Sequence, residues 1–101
     1  MKRRIEFNAW GRGDFDTPSY ALVEIGTPVC GAVAAAIARK NGLGVATLRP
    51  DGWEVDRSDG RERRTPHWVA TLGRRCGHGW TPVAEVWFSV PSEGYYAEGG
   101  A

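Results

Sequence analysis

A chain of 101 residues with a formal net charge of +1 has room for one domain, and its field is too weak to require nucleic acid or a membrane surface as a partner. With 42% hydrophobic and 25% charged residues it is not a disordered chain, and its five Trp concentrate apolar area in few side chains. Cys30 and Cys76 allow at most one disulfide, and the opening Met-Lys-Arg-Arg-Ile-Glu lacks the apolar run of a secretory signal, so a cytoplasmic protein with free thiols is expected.

Arg3 to Trp10 alternates, with Ile5, Phe7 and Ala9 in one phase, and predicts a half-buried strand. Gly11 to Pro18 is a turn-rich loop, and Tyr20 to Ile25 is a second strand carrying Ala21, Val23 and Ile25 on one face. The following stretch predicts a helix. Thr27 is placed to cap it and Pro28 to occupy its first position. Val29, Val33 and Ile37 form its buried stripe, Arg39 and Lys40 suit the negative end of its dipole, and Gly42 ends it. Gly31, Ala35 and Ala38 make a second face of small residues, flat enough for another backbone to approach. Pro28 to Ala38 is too short to span a bilayer.

After the helix the pattern predicts strands at Val45 to Arg49, Trp53 to Arg57, His67 to Leu72 and Val83 to Val90. Pro50-Asp51-Gly52 reads as a turn, Ser58 to Arg64 as a charged loop, and Gly73 to Gly79 as a flexible hairpin connection. The expected order is β-β-α-β-β-β-β: a single helix packed on a mainly antiparallel sheet, an α+β domain over 1–91, with 92–101 a flexible C-terminal tail.

Four groups of residues are candidates for function. Cys30 lies in the first helical turn, where unpaired N–H groups favour negative charge, and His67 opens a strand that can supply a base. Thr27-Pro28-Val29-Cys30-Gly31-Ala32-Val33-Ala34 followed by His67-Trp68-Val69-Ala70-Thr71-Leu72-Gly73 resembles the papain-like bacteriocin-processing cysteine peptidases. That resemblance implies a hydrolase with Cys30 as nucleophile and His67 as base. It covers two short segments. Glu24 stands where the family carries a Gln beside the oxyanion, and the family's Asp falls near Val90. The competing reading makes Cys30 a small buried hydrophobe at a helix–sheet contact.

Cys76-Gly77-His78 is one ligand pair, which His67 or Cys30 can extend, but zinc sites carry two regularly spaced pairs. No metal and no cofactor is expected. Arg61, Arg63 and Arg64 can join Arg74 and Arg75 in a cationic patch that meets a partner's carboxylates or phosphate, with Trp53, Trp68 or Trp80 nearby to stack. Trp10, Trp80 and Trp87 sit at strand ends or on the polar phase, and Trp87, alternating with Glu85 and Ser89, points away from the helix.

The expected function is therefore a small protein-binding module without enzymatic activity. Inhibitors from bacteria and phages, anti-CRISPR-like or immunity-protein-like, have this profile: one domain, no cofactor motif and a surface that occludes a larger protein. Its contact surface is expected to be the open sheet face and hairpin tips, with Arg61, Arg63, Arg64, Arg74 and Arg75 beside Trp53, Trp80 and Trp87. The cysteine hydrolase and nucleic-acid binding through the Arg loops are the alternatives.

Overall fold

Residues Lys2 to Arg12 keep one side-chain phase while changing hydrogen-bond partner. In the computed structural model, which describes residues 1–13, 15–57, 60 and 62–89, β1 (Lys2–Glu6) pairs antiparallel with β3 (Tyr20–Glu24). β2 (Asn8–Arg12) pairs antiparallel with β6 (Gly79–Ser89). Phe7 is the joint. Its N–H still donates to Ser19 O of the first pair at 3.2 Å, and the next residue already belongs to the second sheet. Ile5 and Phe7 are buried and Ala9 half-buried, so one apolar row crosses from a two-stranded to a four-stranded sheet.

The larger sheet has the order β2-β6-β5-β4, all antiparallel, with β4 spanning Gly44–Asp56 and β5 spanning Arg63–Cys76. Helix α1 (Val29–Lys40) lies against both sheets. The predicted stripe is in place: Val29, Val33 and Ile37 are buried, joined by Ala34 and Ala38. They meet Ile5, Phe7, Ala21 and Val23 from one sheet side and Ala70, Leu72, Val86 and Phe88 from the other. The α+β class with one helix on antiparallel sheets is thus established.

Several local expectations are corrected. The order is β-β-β-α-β-β-β, because the first strand divides at Phe7 and the predicted third and fourth strands are one. Pro50-Asp51-Gly52 is a bulge inside β4, where register slips between Pro50 and Trp53 and Gly52 takes a φ of 83°. Proline is tolerated there because β4 is an edge strand. The expected loop from Gly73 to Gly79 is mostly strand. β5 runs to Cys76 and pairs it with Gly79, leaving a two-residue turn at Gly77-His78. Positive φ at Gly77 alone is the signature of a type II′ turn, which matches the twist of a hairpin. The helix N-cap is Pro28, with no side-chain cap from Thr27; Pro28 O accepts the N–H of Ala32. Ala38 joins the core, whereas Gly31 and Ala35 remain half-buried. The tail, 92–101, lies outside the described residues.

The helix C-terminus is built as the glycine implied. Gly42, at φ 66°, donates its N–H to Arg39 O at 3.2 Å, and Leu43 donates to Ala38 O at 2.9 Å, the paired bonds of a Schellman motif. Asn41 adds a clasp. Its Nδ2 donates to Ile37 O at 2.8 Å and to Asp16 O at 2.7 Å, and its Oδ1 accepts from Asp16 N–H at 2.6 Å. One amide thereby ties the β2–β3 loop to the end of the helix.

Ile37→Ala opens a cavity at the centre of this core and is expected to cost about 2–5 kcal/mol in chemical denaturation. Asn41→Ala is expected to cost less, about 1–2 kcal/mol, while raising amide exchange in the loop around Asp16 more than in β5 and β6.

Candidate functional site

Because α1 covers one side of the four-stranded sheet, the residues of opposite phase face away from it. Register places Trp10 directly beside Trp87, and Trp87 beside Val69. His67 and Ser89 are neighbours in the next row, and Asp51 lies in the bulge of β4. Trp10 reaches diagonally across β6, and its ring meets that of His67 edge-on, with centroids 5.2 Å apart and planes at 75°. Trp87 leans the other way, and its indole Nε1–H donates to Asp51 Oδ2 at 2.8 Å. The other carboxylate oxygen of Asp51 is 3.9 Å from Arg49 Nη1. With Gly11 and Arg12 these side chains line a shallow depression of about 430 Å³.

Two glycines permit this surface. A side chain at Gly11 would collide with the carbonyl of Glu85, so its absence lets β2 close on β6 beneath Trp10. At the far end of the sheet a Cβ on Gly44 would lie 2.7 Å from the Trp80 ring, so that indole rests on bare backbone. Trp10 and Trp80 remain 44% and 43% exposed, Trp87 is half-buried, and Val69 is buried beside it although no helix of the described residues covers that side. Charges on this face come in near pairs: Arg12 is opposite Glu85, and Arg49 is beside Asp51.

The structure does not bring Cys30 and His67 together. Cys30 is half-buried in the helix, against the core, whereas the His67 ring packs with Trp10 on the other side of the sheet. Nor does it assemble one arginine patch. Arg63 and Arg64 open β5 and Arg74 and Arg75 close it. Ten residue steps along the strand carry Arg74 about 33 Å from Arg64. Arg64 is held by Glu62 at 3.1 Å, and both side chains are exposed, a contact of small energetic weight. Arg61 lies outside the described residues. Trp53, 57% exposed, pairs with Pro66 near the Arg64 end, while Trp80 lies opposite Arg75. Both cysteines are free, and the described residues contain no group of three metal-ligating side chains. None of their helices is long and apolar enough to cross a membrane.

Trp10, His67 and Asp51 are members of this face absent from the expected contact set, His67 being expected only as a base to Cys30. Trp10 is in phase with Asn8 and Arg12 and out of phase with Ile5, Phe7 and Ala9, which is the signal that marks it as facing away from the helix. Asp51 carries no such signal, since its place depends on the bulge. In comparisons with known proteins, no family model matches the chain, and no curated protein or solved structure matches it.

The indole–carboxylate contact has a direct test. Trp87→Phe and Asp51→Ala are each expected to lower stability by about 0.5–1.5 kcal/mol, and the double variant by little more than either alone. Asp51→Asn, which keeps an acceptor oxygen, is expected to lie closer to the parent in the same thermal denaturation series.

Proposed function

We propose that this chain is a protein-binding module whose contact surface is the uncovered face of the four-stranded sheet around Trp10, His67 and Trp87. The observation that carries the reading is that two adjacent indoles, one 44% exposed, share a side of the sheet that no helix of the described residues covers. Rings held by a cross-strand neighbour lose little freedom on binding, and Trp is the residue most enriched among interface hot spots. The near pairing of Arg12 with Glu85 and of Arg49 with Asp51 leaves little net charge, which suits a flat apolar patch on a protein better than a phosphate backbone.

Such a module acts by covering. An inhibitor of the bacterial or phage kind, anti-CRISPR-like or immunity-protein-like, needs a rigid sheet, exposed aromatic anchors and no cofactor. The two arginine pairs then belong to opposite rims of the surface and contribute separately.

Capture of a partner from bacterial lysate, followed by titration of the purified pair, tests this reading. Trp10→Ala is expected to weaken the dissociation constant by about 30-fold, the size of an interface hot spot, without changing the circular dichroism of the chain. Removing Arg74 and Arg75 together is expected to have a smaller effect than Trp10→Ala. Unchanged affinity in the Trp10 variant, or affinity that collapses as salt is raised, contradicts the assignment.

A further inference from the structure

We propose that the groove between β3 and α1 is a strand-addition site, which takes an extended acidic peptide segment of a partner protein as a third strand on the β1–β3 pair. The groove encloses about 820 Å³ and shares no lining residue with the depression at Trp10 and Trp87, so the proposal stands independently of the sheet-face reading.

The first ground is the backbone of β3. Phe7 N–H donates to Ser19 O and Ile25 N–H to Met1 O, which fixes the hydrogen-bonded rows of the β1–β3 ladder at Ser19, Ala21, Val23 and Ile25. The N–H and C=O groups of Tyr20 and Leu22 and the N–H of Glu24 therefore point away from β1. Glu24 O accepts from Thr27 N–H, and no other strand of the described residues pairs with this edge. Leu22 is 60% exposed on it. A bare edge with an exposed Leu is a template for another strand, and main-chain bonds to such an edge are a recurrent means of peptide recognition.

The second ground is the opposite wall. Ala32, Ala35, Ala36 and Arg39, spaced as one face of α1, line the groove, and Thr17, Pro18 and Ser19 close one end. The methyl side chains leave width for a backbone.

Charge selects the occupant. Lys2, Arg39 and Lys40 line the groove against Glu24 as the one acidic lining residue. Among the described residues Lys2, Arg39 and Lys40 have no ion-pair partner, whereas Glu24 is 3.4 Å from the Met1 amine. An extended segment with acidic side chains flanking its apolar positions supplies what both the strand edge and the cations lack.

The test is titration of the isotope-labelled full chain with acetyl-Glu-Val-Glu-Val-Glu amide, read by amide chemical shifts. Saturable shifts are expected at Tyr20, Leu22 and Glu24 and along Ala32 to Ala36. The matching Lys-Val-Lys-Val-Lys peptide is expected to bind at least tenfold more weakly. Ala35→Trp, which fills the groove, and the exposed pair Arg39→Glu with Lys40→Glu are each expected to weaken binding at least tenfold, while Trp10→Ala leaves it unchanged. No saturable binding, shifts confined to other residues, equal affinity for the Lys peptide, or full affinity in the Arg39→Glu/Lys40→Glu variant overturns the proposal. Shifts at β3 that depend on protein concentration without peptide overturn it in favour of self-association.

Discussion

Everything in this fold depends on the side-chain phase of one extended segment surviving a change of partner. From Ile5 through Phe7 to Ala9 the chain leaves β3 and joins β6, yet each alternate side chain still points at α1. Had the switch at Phe7 added or removed a residue, the row would invert beyond that point and Trp10 would be driven toward the core. The helix can serve two sheets because this strand belongs to both. Its stripe at Val29, Val33 and Ile37 needs apolar neighbours on each flank, and the shared strand aligns them.

The same constraint distributes function. Burying one side of the larger sheet leaves Trp10, His67 and Trp87 on the other, where the Trp10 indole and the His67 imidazole pack edge-on. On the smaller sheet, β1 is committed to β3, and β3 has no further strand partner among the described residues. A flat aromatic surface and an open strand edge thus arise from a single packing decision, and they offer different chemistry: ring area in one place, main-chain donors and acceptors in the other.

The helix was legible in the amino-acid sequence because Val29, Val33, Ile37 and Gly42 signal through local spacing. Local spacing also led to error. Pro50-Asp51-Gly52 carries turn chemistry, but β4 lies at an edge where a proline costs no ladder bond, and pairing with β5 on both flanks pulls the segment into a bulge. Reading Gly73 to Gly79 as a loop shortened β5 and folded Arg74 and Arg75 toward Arg63 and Arg64; the extended hairpin holds them at opposite ends. The division of the first strand at Phe7 left no mark in the pattern, since the alternation is the same on either side. Cys30 and His67 illustrate the limit of spacing arguments: both fall on the expected kinds of element, and the sheet between them decides that they do not meet.

Asn41 followed by Gly42 bears on how the molecule ages. An asparagine preceding glycine is the sequence most prone to deamidation, because the unhindered glycine nitrogen attacks the side-chain amide. Here that nitrogen is engaged with Arg39 O, and the amide is anchored to both Ile37 O and Asp16. The cyclisation must therefore wait for the helix end to open, so the clasp that positions a loop also acts as a chemical safeguard. Once a carboxylate replaced the amide, it would confront the carbonyls of Ile37 and Asp16 with no proton to offer, and the damage would not be silent.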